Sequence, residues 1–261
     1  MPRYDFILNI LLLFFTYCVA GWVWECIYMS VLEKTLLNRG FLNGPYIPIY
    51  GFGGWAVYLS LQALNGPIKS VNTVKIFFIG LFFATLLEYI TSVILEKIFK
   101  ARWWDYTNYK FNLNGRICLL ASLFWGFISV VFVQIVNPVL LRVYGAWGHD
   151  LKLILVTFMA TLMLVDTCIT VCSIINLQNR ISDLVEIENM KWENLITKIE
   201  GIPADYQAVI RTYKEKAYKV TSPVTKRLLS AFPEMTLLSK SRQMVFERLK
   251  RNRPEEENDM S

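Results

Sequence analysis

Apolar residues along this chain gather into five long runs parted by short polar stretches, at roughly Phe6–Leu32, Tyr46–Leu64, Val74–Leu95, Ile117–Leu140 and Leu151–Ile175. A helix that crosses a bilayer needs about 20 predominantly apolar residues. The pattern therefore predicts an all-α polytopic membrane protein with about five transmembrane helices. The second run is the most interrupted, by Pro48, Gly51, Gly53 and Gly54. The first is too long for a signal-peptide core, and Glu25 with Trp22 and Trp24 stands where a cleavage site would lie.

Beyond residue 176 the pattern changes. Ile181, Leu184, Val185, Glu188, Trp192, Leu195, Ile196 and Ile199 keep helical spacing, so the fifth helix is expected to run on until Gly201 and Pro203 break it. Ala204–Val220 reads as a polar helix. Pro223–Arg253 carries eight basic and two acidic residues around an interrupted apolar stripe of Val224, Leu228, Phe232, Leu237, Leu238, Met244, Val245 and Leu249. That composition suits an anionic inner leaflet or, equally, a self-associating helix pair. The expected organisation is a membrane domain over 1–176 and a basic helical cytoplasmic tail over 177–261.

Composition agrees: 54% of the residues are hydrophobic and only 18% charged, against about a quarter charged in soluble domains. Charge placement gives the orientation. The N-terminus and the 65–75 and 141–152 loops hold five Lys and Arg residues; the 33–45 and 97–116 loops and the tail hold twenty-two. The positive-inside rule then puts the N-terminus outside and the C-terminus inside. Cys18, Cys26, Cys118, Cys168 and Cys172 all lie in apolar spans and read as small packing residues. With His149 as the one histidine, no metal site follows. No metal, cofactor or nucleic acid is expected.

Two segments resemble one another. Residues 25–34 read ECIYMSVLEK and residues 88–97 read EYITSVILEK, with Ile27/Ile90, Leu32/Leu95, Glu33/Glu96 and Lys34/Lys97 in register at an offset of 63. Similar phrases follow, Phe41-Leu42-Asn43-Gly44 and Phe111-Asn112-Leu113-Asn114-Gly115. This predicts a helical hairpin duplicated in parallel orientation, with one carboxylate per copy at membrane depth. Carboxylates in that setting are costly and mark functional sites. Glu25, Glu88 and Asp166 lie seven, seven and nine residues before the inner ends of their runs, or ~10–14 Å deep at 1.5 Å per residue. One layer of three acids sharing a cavity is one reading. Private pairing that locks helices is the other.

The two inner loops add candidate chemistry. Asn38–Gly54 reads NRGFLNGPYIPIYGFGG; its turns and prolines break the entry to the second helix and aim free N–H groups inward, which suits an anionic group. Its glycines alternatively give a face for tight helix packing. Arg102–Arg116 reads RWWDYTNYKFNLNGR, whose aromatics suit the headgroup layer. At least one of Arg39, Arg102 and Arg116 is expected to pair with Glu25, Glu88, Asp166 or Asp105; the alternative is that they hold a lipid or substrate phosphate. Asn43 and Asn114 join the candidates for substrate binding or coupling. Gly40, Gly44, Pro45, Pro48, Gly51, Trp104 and Gly115 are read as structural.

On those two loops, with Gly21-Trp22-x-x-Glu25 before them, the chain resembles the family of putative ABC-transporter type IV, or CmpB-like, permeases over about residues 10–140. The resemblance implies a multi-pass protein of the bacterial cytoplasmic membrane. It carries Glu25, Asn38, Arg39, Gly40, Gly44, Pro45, Pro48, Gly51, Glu88, Trp104, Asp105, Tyr106, Asn112, Gly115 and Arg116 over as motif positions without assigning roles. The chain has no G-x-x-x-x-G-K-[ST] loop, so an ATPase would be a separate chain. Membrane lipids and a second copy of the chain are the other expected partners. Three functions compete: a transporter or permease component with an acidic intramembrane site near the cytoplasmic face, a structural or regulatory membrane module, and an enzyme acting on lipid headgroups. Against the enzyme, no nucleophile–base pair is evident and no catalytic residue is assigned.

Overall fold

A computed structural model describes residues 3–65, 71–198, 222–232, 235–238, 243, 244 and 247. The apolar runs form helices: α1 (Arg3–Glu33), α2 (Pro48–Asn65), α3 (Thr73–Phe99), α4 (Leu119–Val131) with α5 (Asn137–Ala146), and α6 (His149–Lys198). Among the described residues, four stretches are long and apolar enough to cross a membrane: Tyr4–Leu32, Thr73–Phe99, Leu119–Ala146 and His149–Val185. The fifth expected span, α2, is helical over 18 residues but is not among them. As expected from the spacing, α6 runs on past the apolar stretch without a break. The expected helix over 204–220 lies outside the described residues.

Local chemistry sets the boundaries. Pro48 opens α2, where its missing N–H leaves no helical bond unmade. The Asn72 side chain caps α3 through the Val74 N–H at 2.8 Å. α4 and α5 are one rod with a π-helical turn, Phe132–Val136, between them. Pro138 cannot donate to the carbonyl four residues back. The backbone widens instead, and the Asn137 N–H reaches Phe132 O. The sequence reading did not foresee this turn.

α1 packs on α2, and α3 packs on α4. The α1–α2 approach is too close for side chains: a Cβ on Gly21 would strike the Tyr50 ring, and one on Gly54 the Tyr17 ring. The packing alternative therefore describes Gly51 and Gly54, whereas Gly53 meets nothing nearer than Leu87 at 3.7 Å.

A polar layer closes the end of the bundle that carries the 34–47 and 100–118 loops. β2 (Asn112–Leu113) and β3 (Ile117–Cys118) form a hairpin. Its turn uses Asn114 and Gly115 at φ +55° and +69°, with Arg116 N–H bonded to Leu113 O at 3.0 Å. β1 (Ala101–Arg102) pairs antiparallel with β4 (Thr236–Leu237). Helix α7 (Pro223–Ala231) is capped by Ser222. Leu228, Leu229, Phe232 and Met235 join Phe99, Trp103, Ile174 and Ile181 in one core, with Val224 and Leu237 packed against it. This corrects the expectation for that part of the apolar stripe. Val224, Leu228, Phe232 and Leu237 cover the chain's own loops rather than a leaflet or a second helix, because Phe99, Trp103 and Phe41 already offer an apolar surface there.

Candidate acidic crevice

Glu88 sits on α3 with 6% of its surface exposed. Its Oε1 accepts from the Tyr106 hydroxyl at 3.1 Å and its Oε2 from the Trp125 indole N–H at 3.0 Å. Glu25, on α1, accepts from the Tyr50 hydroxyl at 2.7 Å and lies 4.0 Å from Arg39 Nε. Tyr50 and Trp125 pack edge to face with centroids 5.4 Å apart. One aromatic pair thus joins the two acids, each ring donating to one carboxylate. Burial, and then the charge of Glu88, push the Tyr106 phenol above its ordinary pKa, so it remains a donor.

From this pair a crevice of about 80 Å³ runs between α2, α3 and α4. Tyr50, Glu88 and Trp125 line one end; Tyr17, Ser129 and Asn137 are its other polar lining groups. Tyr17 donates its hydroxyl to Asn137 Oδ1. Most of the remaining wall is apolar.

Asp166 does not join this site. Its carboxylate accepts from Asn43 N–H (3.1 Å), Asn43 Nδ2 (2.7 Å), Gly44 N–H (2.7 Å), the Tyr46 hydroxyl (3.0 Å) and the Thr170 hydroxyl (3.2 Å). Successive loop N–H groups around an anion form a nest. The inward N–H groups expected to suit an anionic group are therefore filled by the chain's own carboxylate. The expected layer of three acids separates into Glu25 with Glu88, and Asp166 alone with the 43–46 loop.

The arginines also divide. Arg39 approaches Glu25, stacks over the Phe232 ring at 4.8 Å and donates to Ala231 O. Of the three arginines, Arg39 is the one that meets one of the expected acids; Arg102 and Arg116 pair instead with Glu96, at 3.2 and 2.9 Å. Glu96 is two helical turns beyond Glu88, level with the loop that carries both arginines. Asp105 caps its own turn, accepting from Thr107 N–H at 2.9 Å. The remaining candidates shape loops. Asn43 holds Asp166, Asn114 turns the hairpin, and Trp104 donates to Arg116 O at 3.0 Å. Asn38 accepts from both Trp22 Nε1 (2.7 Å) and the Gly40 N–H (3.1 Å).

Sequence reasoning missed Tyr50, Trp125, Asn137 and Arg227. Aromatics with a polar end inside apolar runs need partners when buried, and that signal points to Tyr50 and Trp125. Nothing local singles out Arg227, whose guanidinium donates to Gly40 O (2.6 Å), Phe41 O (3.0 Å) and Asn43 Oδ1 (3.0 Å).

A family model described as "Putative ABC-transporter type IV" matches residues 12–171, more than half of the chain. That span holds both acids, both loops and Asp166. No curated protein and no solved structure gives a significant match.

Proposed function

The chain belongs to the putative ABC-transporter type IV family, and from that premise we propose that it is the membrane-embedded component of a transporter, with Glu25 and Glu88 as its substrate-contacting or coupling acids. One observation carries the reading: Glu88 is buried, meets only neutral donors among the described residues, and opens on a crevice between helices. An acid at membrane depth without a private cation is what a translocated or coupling cation would meet. In this reading the chain sits in a bacterial cytoplasmic membrane. Its N-terminus is outside and its membrane domain spans 1–176. The basic tail, 177–261, faces the cytoplasm, where a separate ATPase chain would dock. The hairpins α1–α2 and α3–α4 are the two copies of a parallel duplication, each supplying one acid. Asp166, Arg102, Arg116, Asp105, Asn43 and Asn114 hold the frame around them.

The test is to purify the tagged full-length chain from its native membrane in mild detergent and identify co-purifying proteins by mass spectrometry. An ABC-type ATPase is expected. Glu88→Gln should leave the assembly intact and change its ATP hydrolysis by about tenfold, the equivalent of ~1.4 kcal/mol. Absence of an ATPase, or hydrolysis unchanged by both Glu88→Gln and Glu25→Gln, overturns the proposal. A regulatory module is the second reading, favoured by the docking of α7 on the 38–47 loop. It predicts a partner that is lost in Arg227→Ala and retained in Glu88→Gln.

A further inference from the structure

The crevice carries more information than its acids, because its two ends differ. At the acid end, Glu25 and Glu88 stand against a single guanidinium, Arg39, which is 4.0 Å from Glu25. Among the described residues Glu88 has no cationic partner within 4.0 Å. Glu88 therefore has no cation of its own there. The immediate surroundings of the two acids are Tyr50 and Trp125, whose hydroxyl and indole N–H point at the two carboxylates.

The other end carries a different deficit. Asn137 is 3% exposed and lines the same crevice. Its Oδ1 is taken by Tyr17. Among the described residues its amide nitrogen has no hydrogen-bond acceptor, although it is a double donor. That donor belongs to a residue on the crevice wall, where a ligand acceptor would pair with it. Trp125 and Asn137 lie twelve residues apart on one rod, about 18 Å at 1.5 Å per residue. Between them the walls are largely apolar, among them Val57, Leu87 and Val133. A crevice of about 80 Å³ lined by residues that far apart suits one unbranched chain better than a two-chain lipid.

We propose that this crevice binds an unbranched amphiphilic amine, with its ammonium at Glu88, its hydrocarbon chain along Val57 and Leu87, and a hydrogen-bond acceptor at its far end meeting the Asn137 amide. The proposal rests on the reading of Glu25 and Glu88 as the site and names the class of ligand that site takes. The ammonium gives Glu88 a cationic partner. The chain replaces an apolar void. A terminal hydroxyl accepts from Asn137 Nδ2.

The test measures equilibrium binding of three radiolabelled probes to the full chain in lipid nanodiscs, with empty nanodiscs subtracted: decylamine, decan-1-ol and 10-aminodecan-1-ol. Saturable, equimolar binding of decylamine is expected, with decan-1-ol at least about tenfold weaker, as a loss of ~1.4 kcal/mol gives. 10-Aminodecan-1-ol should bind more tightly than decylamine. Asn137→Leu should remove that advantage while leaving decylamine itself bound. Glu88→Gln should weaken both amines and leave decan-1-ol unchanged. The comparison among probes on the unaltered chain decides the matter even where a variant fails to fold. If decan-1-ol binds as well as decylamine, or if decylamine does not saturate, the proposal is overturned. These measurements use the chain alone, so they fail or succeed independently of ATPase association. Amine binding lost with ATP hydrolysis still sensitive to Glu88→Gln would mean the wrong ligand class at a correctly placed site.

Discussion

Five groups donate to Asp166 and none accepts from it, so that cradle fits a carboxylate and nothing else. Asp166→Asn would point an NH₂ group at donors, and the cost of a buried unpaired polar group is about 1–3 kcal/mol. We expect a lower thermal midpoint and a lower monodisperse yield in detergent for that variant. Glu25→Gln differs, because its amide oxygen still accepts from Tyr50 and only a 4.0 Å ion pair is lost. That loss should stay under about 1 kcal/mol. Equal midpoints for the two variants would mean that Asp166 is not the structural acid. The sequence placed Glu25, Glu88 and Asp166 at one depth, since depth follows from counting residues along helices. It could not say which way each side chain turns around its helix. That rotation sends Asp166 to the 43–46 loop and Glu88 to Trp125.

At the scale of elements, the alternation of small and large residues decides how α1 meets α2. Gly54 receives the Tyr17 ring, whereas Gly53 faces the crevice. Gly54→Ala should therefore destabilise the fold by about 1–3 kcal/mol through overpacking. Gly53→Ala should leave the thermal midpoint within error, and a reversed order would refute the packing assigned to that face. α7 is held differently, by a guanidinium whose three bonds reach two loop carbonyls and the Asn43 side chain. Asn43 also binds Asp166, so α7 is linked through one residue to the acid on α6. A Lys ammonium is a compact donor that cannot span those three acceptors. Arg227→Lys should raise the rate of tryptic cleavage within α7 by about tenfold, as the loss of ~1.4 kcal/mol in docking would give. Trypsin accepts either residue, so cleavage chemistry is unchanged and the rate reports undocking. An unchanged rate would remove Arg227 from its assigned role. Helix existence was legible because hydrophobic periodicity is local. The π-helical turn before Pro138 and the docking of α7 were not, because the first depends on how a broken bond is repaired and the second on contacts nearly 190 residues apart.

For the whole molecule, the distribution of charge and the geometry bear on one arrangement in the membrane. Arg39, Arg102, Arg116 and Arg227 all lie in the layer built from the 34–47 loop, the 100–118 loop and α7. His149, Asp5 and Lys152 lie at the opposite end, where His149 Nδ1 is 3.0 Å from Asp5 Oδ1. Positive-inside then predicts that the arginine layer faces the cytoplasm. That layer cannot be at membrane depth on the lipid side, because its loops carry backbone groups bonded to one another and to buried side chains rather than to a helix ladder. The hairpin was not foreseen, although Asn114-Gly115 carries a turn signal. The sequence did not reveal that the layer is a folded cap with its own apolar core, since five of the twelve buried residues of that core come from the distant segment 228–235. Topology is open to direct measurement. In a variant with the five native cysteines replaced, Gly145→Cys should react with an impermeant maleimide added to intact cells. Lys110→Cys, exposed on the hairpin side, should react only after permeabilisation. Labelling of residue 110 from outside would invert the molecule, and with it the side of the membrane from which the acidic end of the crevice is reached.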